Sequence, residues 1–189
     1  ETATAKPAMP HPHHTLRFGL ALLITLSASL GHAQPPSIEA PNVVTITPAL
    51  VTAGQPSAES LAGLSAQGFE AVVYLAPPTV SDAVRDEAAI VGRQGLVFVN
   101  IPIKFDNPSA KDFETFAAVL GALSGRKILV HCQVNLRASS MVFLYRAITA
   151  KEDPAAAYQA VAQVWAPHGA WKQLIQTQLQ QHGVHFQPF

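Results

Sequence analysis

The chain has 189 residues, of which 49% are hydrophobic and 13% charged, with Lys plus Arg and Asp plus Glu both at 12. That length suits one domain with a sizeable core, and the apolar content excludes a disordered chain. Zero formal net charge removes the basic excess expected of a nucleic-acid binder.

In chain order, the first expected feature is an export leader over residues 1–33. His11, His13, His14 and Arg17 precede an apolar run over 18–30, and Gly31, His32 and Ala33 supply small residues around a cleavage point. The residues before Met9 read as added sequence or an over-extended start. The run is shorter than the roughly 20 residues a spanning helix needs, so the mature protein is expected to begin at Gln34, periplasmic or secreted and free of the membrane after cleavage; an uncleaved anchor is the alternative. Cys132 is the single cysteine and finds no internal disulfide partner in an oxidising compartment. It is either a small buried hydrophobe or kept for chemistry.

Residues 34–42, QPPSIEAPN, read as an extended linker, and the domain is expected over 43–189. Apolar and β-branched runs at 43–46, 50–53, 71–75, 97–101 and 128–131 predict strands, with helical patterns between them. The alternation predicts an α/β fold: a central, largely parallel sheet flanked by helices, in a single domain. Ser57 is placed to cap a helix that ends before Gly68, and Thr79 with Asp82 forms a capping-box pattern before Gly95. Ser109 with Asp112 repeats that pattern, opening a helix whose Phe113, Phe116, Ala117, Leu120 and Leu123 share one face. Asp153-Pro154 starts another helix, with Tyr158, Val161 and Trp165 on its apolar side. A last helix carries Trp171, Leu174, Ile175 and Leu179 before Gly183.

The chemistry is concentrated in RKILVHCQVNLRASSMVFLY, residues 126–145. An apolar strand runs into Cys132, a short loop follows, and a helix is expected from about Ala138. Unpaired N–H groups and the positive end of a helix dipole suit such a loop to a tetrahedral anion. The same field favours the thiolate of a cysteine beneath it. Arg137 can add a bidentate cation. Gln133, Val134, Asn135 and Leu136 form the intervening loop, and without a glycine there, Asn135 is the residue best able to take φ > 0.

His131-Cys132, then Arg137, Ala138 and Ser139, resemble the His-Cys-loop-Arg signature of protein tyrosine and dual-specificity phosphatases in the cysteine-phosphatase superfamily. The stretch ITPALVTAGQPSAESLAGLSAQGFEAVVYLAPP, with its Gly54-Gln55-Pro56 turn, is similar to the opening of a bacterial branch often called beta-lactamase-hydrolase-like. The resemblance covers about 43–181. It implies hydrolysis of phosphate monoesters through a phosphocysteine, on a phosphorylated protein or a small phosphate monoester, with no cofactor or metal. It further implies that Cys132 is the nucleophile, that Arg137 holds phosphoryl oxygens and that an aspartate before the cysteine strand, here Asp106, is the acid. His131 would tune the thiolate and Ser139 would bond the sulfur.

Each role has an ordinary structural alternative. Arg137 also suits a surface helix position paired with a nearby acid, His131 equally the edge of the core, Asp106 an Asx turn at Asp106-Asn107-Pro108, and Ser139 a core-facing first turn. The spacing also differs from the five residues of the phosphatase signature, since only four stand between Cys132 and Arg137. Counting back from the helix instead puts Ala138 at the arginine position. Four is also the spacing of rhodanese-type sulfurtransferases, so a persulfide carrier is one alternative function. A non-catalytic module binding anions or a protein partner is another.

Overall fold

The structure is a computed structural model that describes residues 1–4 and 37–189. The expected leader lies outside the described residues apart from 1–4, which carry no regular secondary structure. Every element below belongs to one unit, Gln34–Phe189. Among the described residues no helix is long and apolar enough to cross a membrane.

Five strands form one sheet in the order β1-β2-β5-β3-β4. They are β1 (Val44–Thr47), β2 (Leu50–Ala53), β3 (Ala71–Tyr74), β4 (Val97–Asn100) and β5 (Ile128–His131). Only β1 is antiparallel; β2, β5, β3 and β4 run parallel. The composition explains the order. β3 and β5, AVVY and ILVH, are apolar and buried along their length, as central parallel strands must be. β1 carries two threonines and lies at an edge.

Alternation along the strands builds two layers of helices. Ala71, Val73, Ile128 and Val130 face α3 (Ala110–Ala122), α4 (Leu136–Leu144), α5 (Pro154–Ala162) and α6 (Gly169–Gln181). Val51, Ala53, Val72 and Leu129 face α1 (Ala58–Ala62) and α2 (Glu87–Gly92). α4 is buried from Arg137 to Leu144, the character of a helix enclosed on all sides, and passes through a π-helical turn, Tyr145–Thr149.

Local signals fare unevenly. The Ser109–Asp112 capping box is complete, and Asp153 accepts from the Ala156 N–H at 2.7 Å with Pro154 opening α5. Trp171, Leu174, Ile175 and Leu179 are all buried on α6. The helix expected from Thr79 instead begins at Glu87, because Asp86 at φ 60° lies in the left-handed region and interrupts the helical backbone. Residues 79–86 are turns and irregular backbone, and Asp82 bonds Gln133 rather than capping. The Ser57-capped helix ends at Ala62, continuing only as a 3-10 turn, Ser65–Gln67. α5 ends before Trp165, which joins Phe105 and Trp171 in an aromatic cluster.

The expected linker is described from Ser37, and from there it is bonded to the domain. Glu39 N–H donates to Ser60 Oγ at 2.8 Å, Pro41 C=O accepts from Gly54 N–H at 2.7 Å, and Ile38 and Ala40 pack on the α1/α2 layer.

Candidate active site

The C-terminal ends of three neighbouring strands meet at one point: His131 of β5 pairs with Ala53 of β2 on one side and Tyr74 of β3 on the other. Ligands of parallel α/β sheets bind at this edge. Cys132 follows directly, fully buried, its N–H donating to Ala53 C=O at 3.2 Å. Asn135 takes φ 70°, as its tolerance of that conformation predicts. That turn starts α4 at Leu136, two residues before the expected point.

The tight loop is held from behind. Gln55 N–H donates to Gln133 C=O at 2.9 Å. Gly54 allows this approach, since a Cβ there would lie 2.7 Å from that same carbonyl oxygen. Asn135 Nδ2 donates to Asn42 C=O at 2.6 Å and to Thr52 Oγ1 at 3.0 Å. The N–H groups of Gln133, Val134, Leu136 and Arg137 make no bond among the described residues. Together with the α4 N-terminus they form a donor-rich rim beside the sulfur.

Arg137 is 5% exposed, and its guanidinium lies beside the loop while Ala138 packs in the core. Nε donates to Ile103 C=O at 3.0 Å, Nη1 reaches Gln133 Oε1 at 3.4 Å, and the Phe105 ring lies 5.1 Å away. Gln133 in turn donates to Asp82 Oδ1 at 2.7 Å. Asp106 sits in the exposed turn after Phe105, closed by Asn107 N–H to Lys104 C=O at 3.3 Å. No Asx bond forms there among the described residues.

Three expected contacts are rearranged. His131 is fully buried, and its Nε2 lies 2.6 Å from Glu87 Oε1, so it supports the loop from beneath and does not line a substrate surface. Asn135 spends its amide on the frame. Ser139 donates to Leu136 C=O at 3.2 Å and makes no hydrogen bond to the sulfur among the described residues, because its hydroxyl is taken by the first turn of α4.

Several site residues escape sequence reasoning. Glu87 opens α2, yet it is 5% exposed and receives His131 on one oxygen and Gln55 Nε2 at 2.9 Å on the other. Tyr74 stacks on His131 with centroids 4.7 Å apart and planes 14° from parallel. Its phenol is pushed up to about 12, first by burial, then by the negative charges of Glu87, Asp82 and Cys132, with Arg137 acting the other way. These contacts join residues far apart in sequence. Only the Gly54-Gln55-Pro56 turn gave a signal, and that signal was a likeness without a mechanism.

Residues 37–179 match the family model described as "DSP-PTPase phosphatase fused to NAD+ Kinase". The chain belongs to this phosphatase family. It is a cysteine-dependent phosphatase of the tyrosine/dual-specificity type, a phosphoric monoester hydrolase. No curated protein matches it significantly. Among solved structures it is similar to a DUF442 phosphatase candidate from Shewanella putrefaciens CN-32, at 27% identity and TM-score 0.69, covering 76% of this chain and 94% of that one. Tk-PTP in its active form shares the fold at 20% identity and TM-score 0.59, covering 77% and 99%. TpbA of P. aeruginosa does so at 20% identity and TM-score 0.57, covering 77% and 88%; a cysteine-to-serine form of TpbA is solved in complex with pTyr. Family membership decides for the phosphatase over the sulfurtransferase.

Proposed function

We propose that the Cys132 thiolate attacks the phosphorus of a phosphate monoester, forming an S–P bond as the P–O bond to the leaving group breaks. Asp106 gives its proton to the departing oxygen. Water then attacks the phosphocysteine, Asp106 takes up a proton from it, and the S–P bond breaks to release inorganic phosphate and the thiolate. Arg137 and the free N–H groups of the loop stabilise the equatorial oxygens. The observation that carries this reading is a single buried cysteine at the end of β5 beside unpaired loop donors and a buried arginine.

An aryl phosphate, such as phosphotyrosine in a protein, fits the rim. Phe105 and Val134 are apolar yet 37% and 43% exposed, one beside Arg137 and the other within the loop. The pTyr complex of TpbA supports a phosphorylated substrate. The composition of 1–33 supports action in the periplasm or outside the cell after leader cleavage.

Purified protein should hydrolyse p-nitrophenyl phosphate with inhibition by vanadate, and Cys132→Ser should abolish turnover. Arg137→Lys should lose roughly a hundredfold in kcat/KM, since an ammonium cannot reproduce the guanidinium fork. Turnover of thiosulfate with every phosphate ester untouched would overturn the reading.

A further inference from the structure

The loop contains no glycine, yet it must keep its carbonyls away from an anion. One of them is controlled from outside. Asn42 Nδ2 donates to Val134 C=O at 3.0 Å, while Asn42 C=O accepts from Asn135 Nδ2 at 2.6 Å. The two bonds tie Asn42 to the loop at adjacent residues, through the carbonyl of Val134 and the side-chain amide of Asn135. The N–H end of the peptide between Val134 and Asn135 is turned toward β2 by the antiparallel bridge between Gly54 and Val134, which leaves its carbonyl end to Asn42. Loss of the Asn42 bond would free that carbonyl to swing, and its negative end would oppose a bound phosphate. Asn42 itself sits at φ 50°, which suits Asn and presents its amide to the loop.

We propose that Asn42 is a positioning residue of the Cys132 loop: its side-chain amide holds the Val134 carbonyl away from the anion and so preserves the oxyanion cradle. The role deepens the phosphatase reading and rests on it for its catalytic consequence. Asn42 is exposed and lies outside the hydrophobic core, so its replacement should leave the fold intact. Asn42 is thereby separated from Gln55, whose amide also holds the buried Glu87.

The test uses Asn42→Gly, which keeps the left-handed backbone at no steric cost and removes only the amide, and Asn42→Ala alongside it. Tungstate protection of Cys132 against iodoacetamide reads the cradle directly, without turnover. Both variants should bind tungstate about tenfold more weakly than the natural protein. KM for p-nitrophenyl phosphate should rise by a similar factor, and thermal midpoints should stay within a few degrees. If Asn42→Gly is protected by tungstate and turns over like the natural protein, the proposal is wrong. It is also wrong if tungstate fails to protect natural Cys132, for then no cradle exists. A natural protein that tungstate protects but that hydrolyses no phosphate ester would sink the phosphatase reading alone and leave the role of Asn42 to be decided by protection.

Discussion

At the scale of single residues, Glu87 shows how much of this site is supporting structure. A carboxylate at 5% exposure must be paired, and here His131 and Gln55 each take one oxygen. Glu87→Leu should therefore cost roughly 3 kcal/mol in urea unfolding, because it leaves the buried imidazole without its acceptor. Glu87→Gln should cost much less: Gln55 Oε1 has no partner among the described residues, so that amide can turn and accept from the new one. Tyr74 makes a second prediction, about pH. The folded protein holds its phenolic proton to about 12 while the unfolded chain releases it near 10.0. Between those values the folded state binds more protons, so stability falls as pH rises through that window. In Tyr74→Phe the fall should be shallower, as followed by fluorescence-detected unfolding. Asn135 was legible in the sequence because no other loop residue tolerates its backbone angle. The Glu87–His131 pair was not, since its partners stand 44 positions apart and neither shows a local pattern.

Among the elements, strands with dense β-branched content were readable nearly to the residue, as were helix starts with a local cap such as Ser109 and Asp153. Thr79 and Asp82 failed for an instructive reason. The same two residue types satisfy a capping pattern, but tertiary structure gave the Asp82 carboxylate to Gln133. The junction of β2 with the loop yields a further prediction. In Gly54→Ala the new methyl would meet backbone, Gln133 C=O at 2.7 Å, along with Pro41 Cβ at 2.8 Å, so the loop itself must move. A displacement near 1 Å at a reacting centre costs about a hundredfold. The variant's kcat/KM should fall by about that factor, a larger loss than its change in thermal midpoint would suggest.

For the whole molecule, the site exists only where β2, β5 and β3 end together with the segment before β1. This explains what reading along the chain captured. The strand-loop-helix around Cys132 is contiguous and could be read, whereas its frame comes from residues 41–42 and 52–55, of which only the turn at Gly54-Gln55 was marked, by likeness alone. It also explains why 37–42 reads as a linker: the segment is proline-rich and polar, and its bonds appear only once the loop it holds is in place.

The bond between Asn135 and Asn42 spans 93 positions, and that between Asn135 and Thr52 spans 83. Contacts of such separation close late, because the entropy of joining distant segments must be met before they contribute. Cys132 and its loop can therefore be present, and even helical on their far side, in a chain that has no catalytic geometry. On dilution from denaturant, far-UV ellipticity should recover ahead of turnover, and turnover should follow the slowest phase. A half-folded molecule in this design carries the proposed nucleophile without the ability to use it.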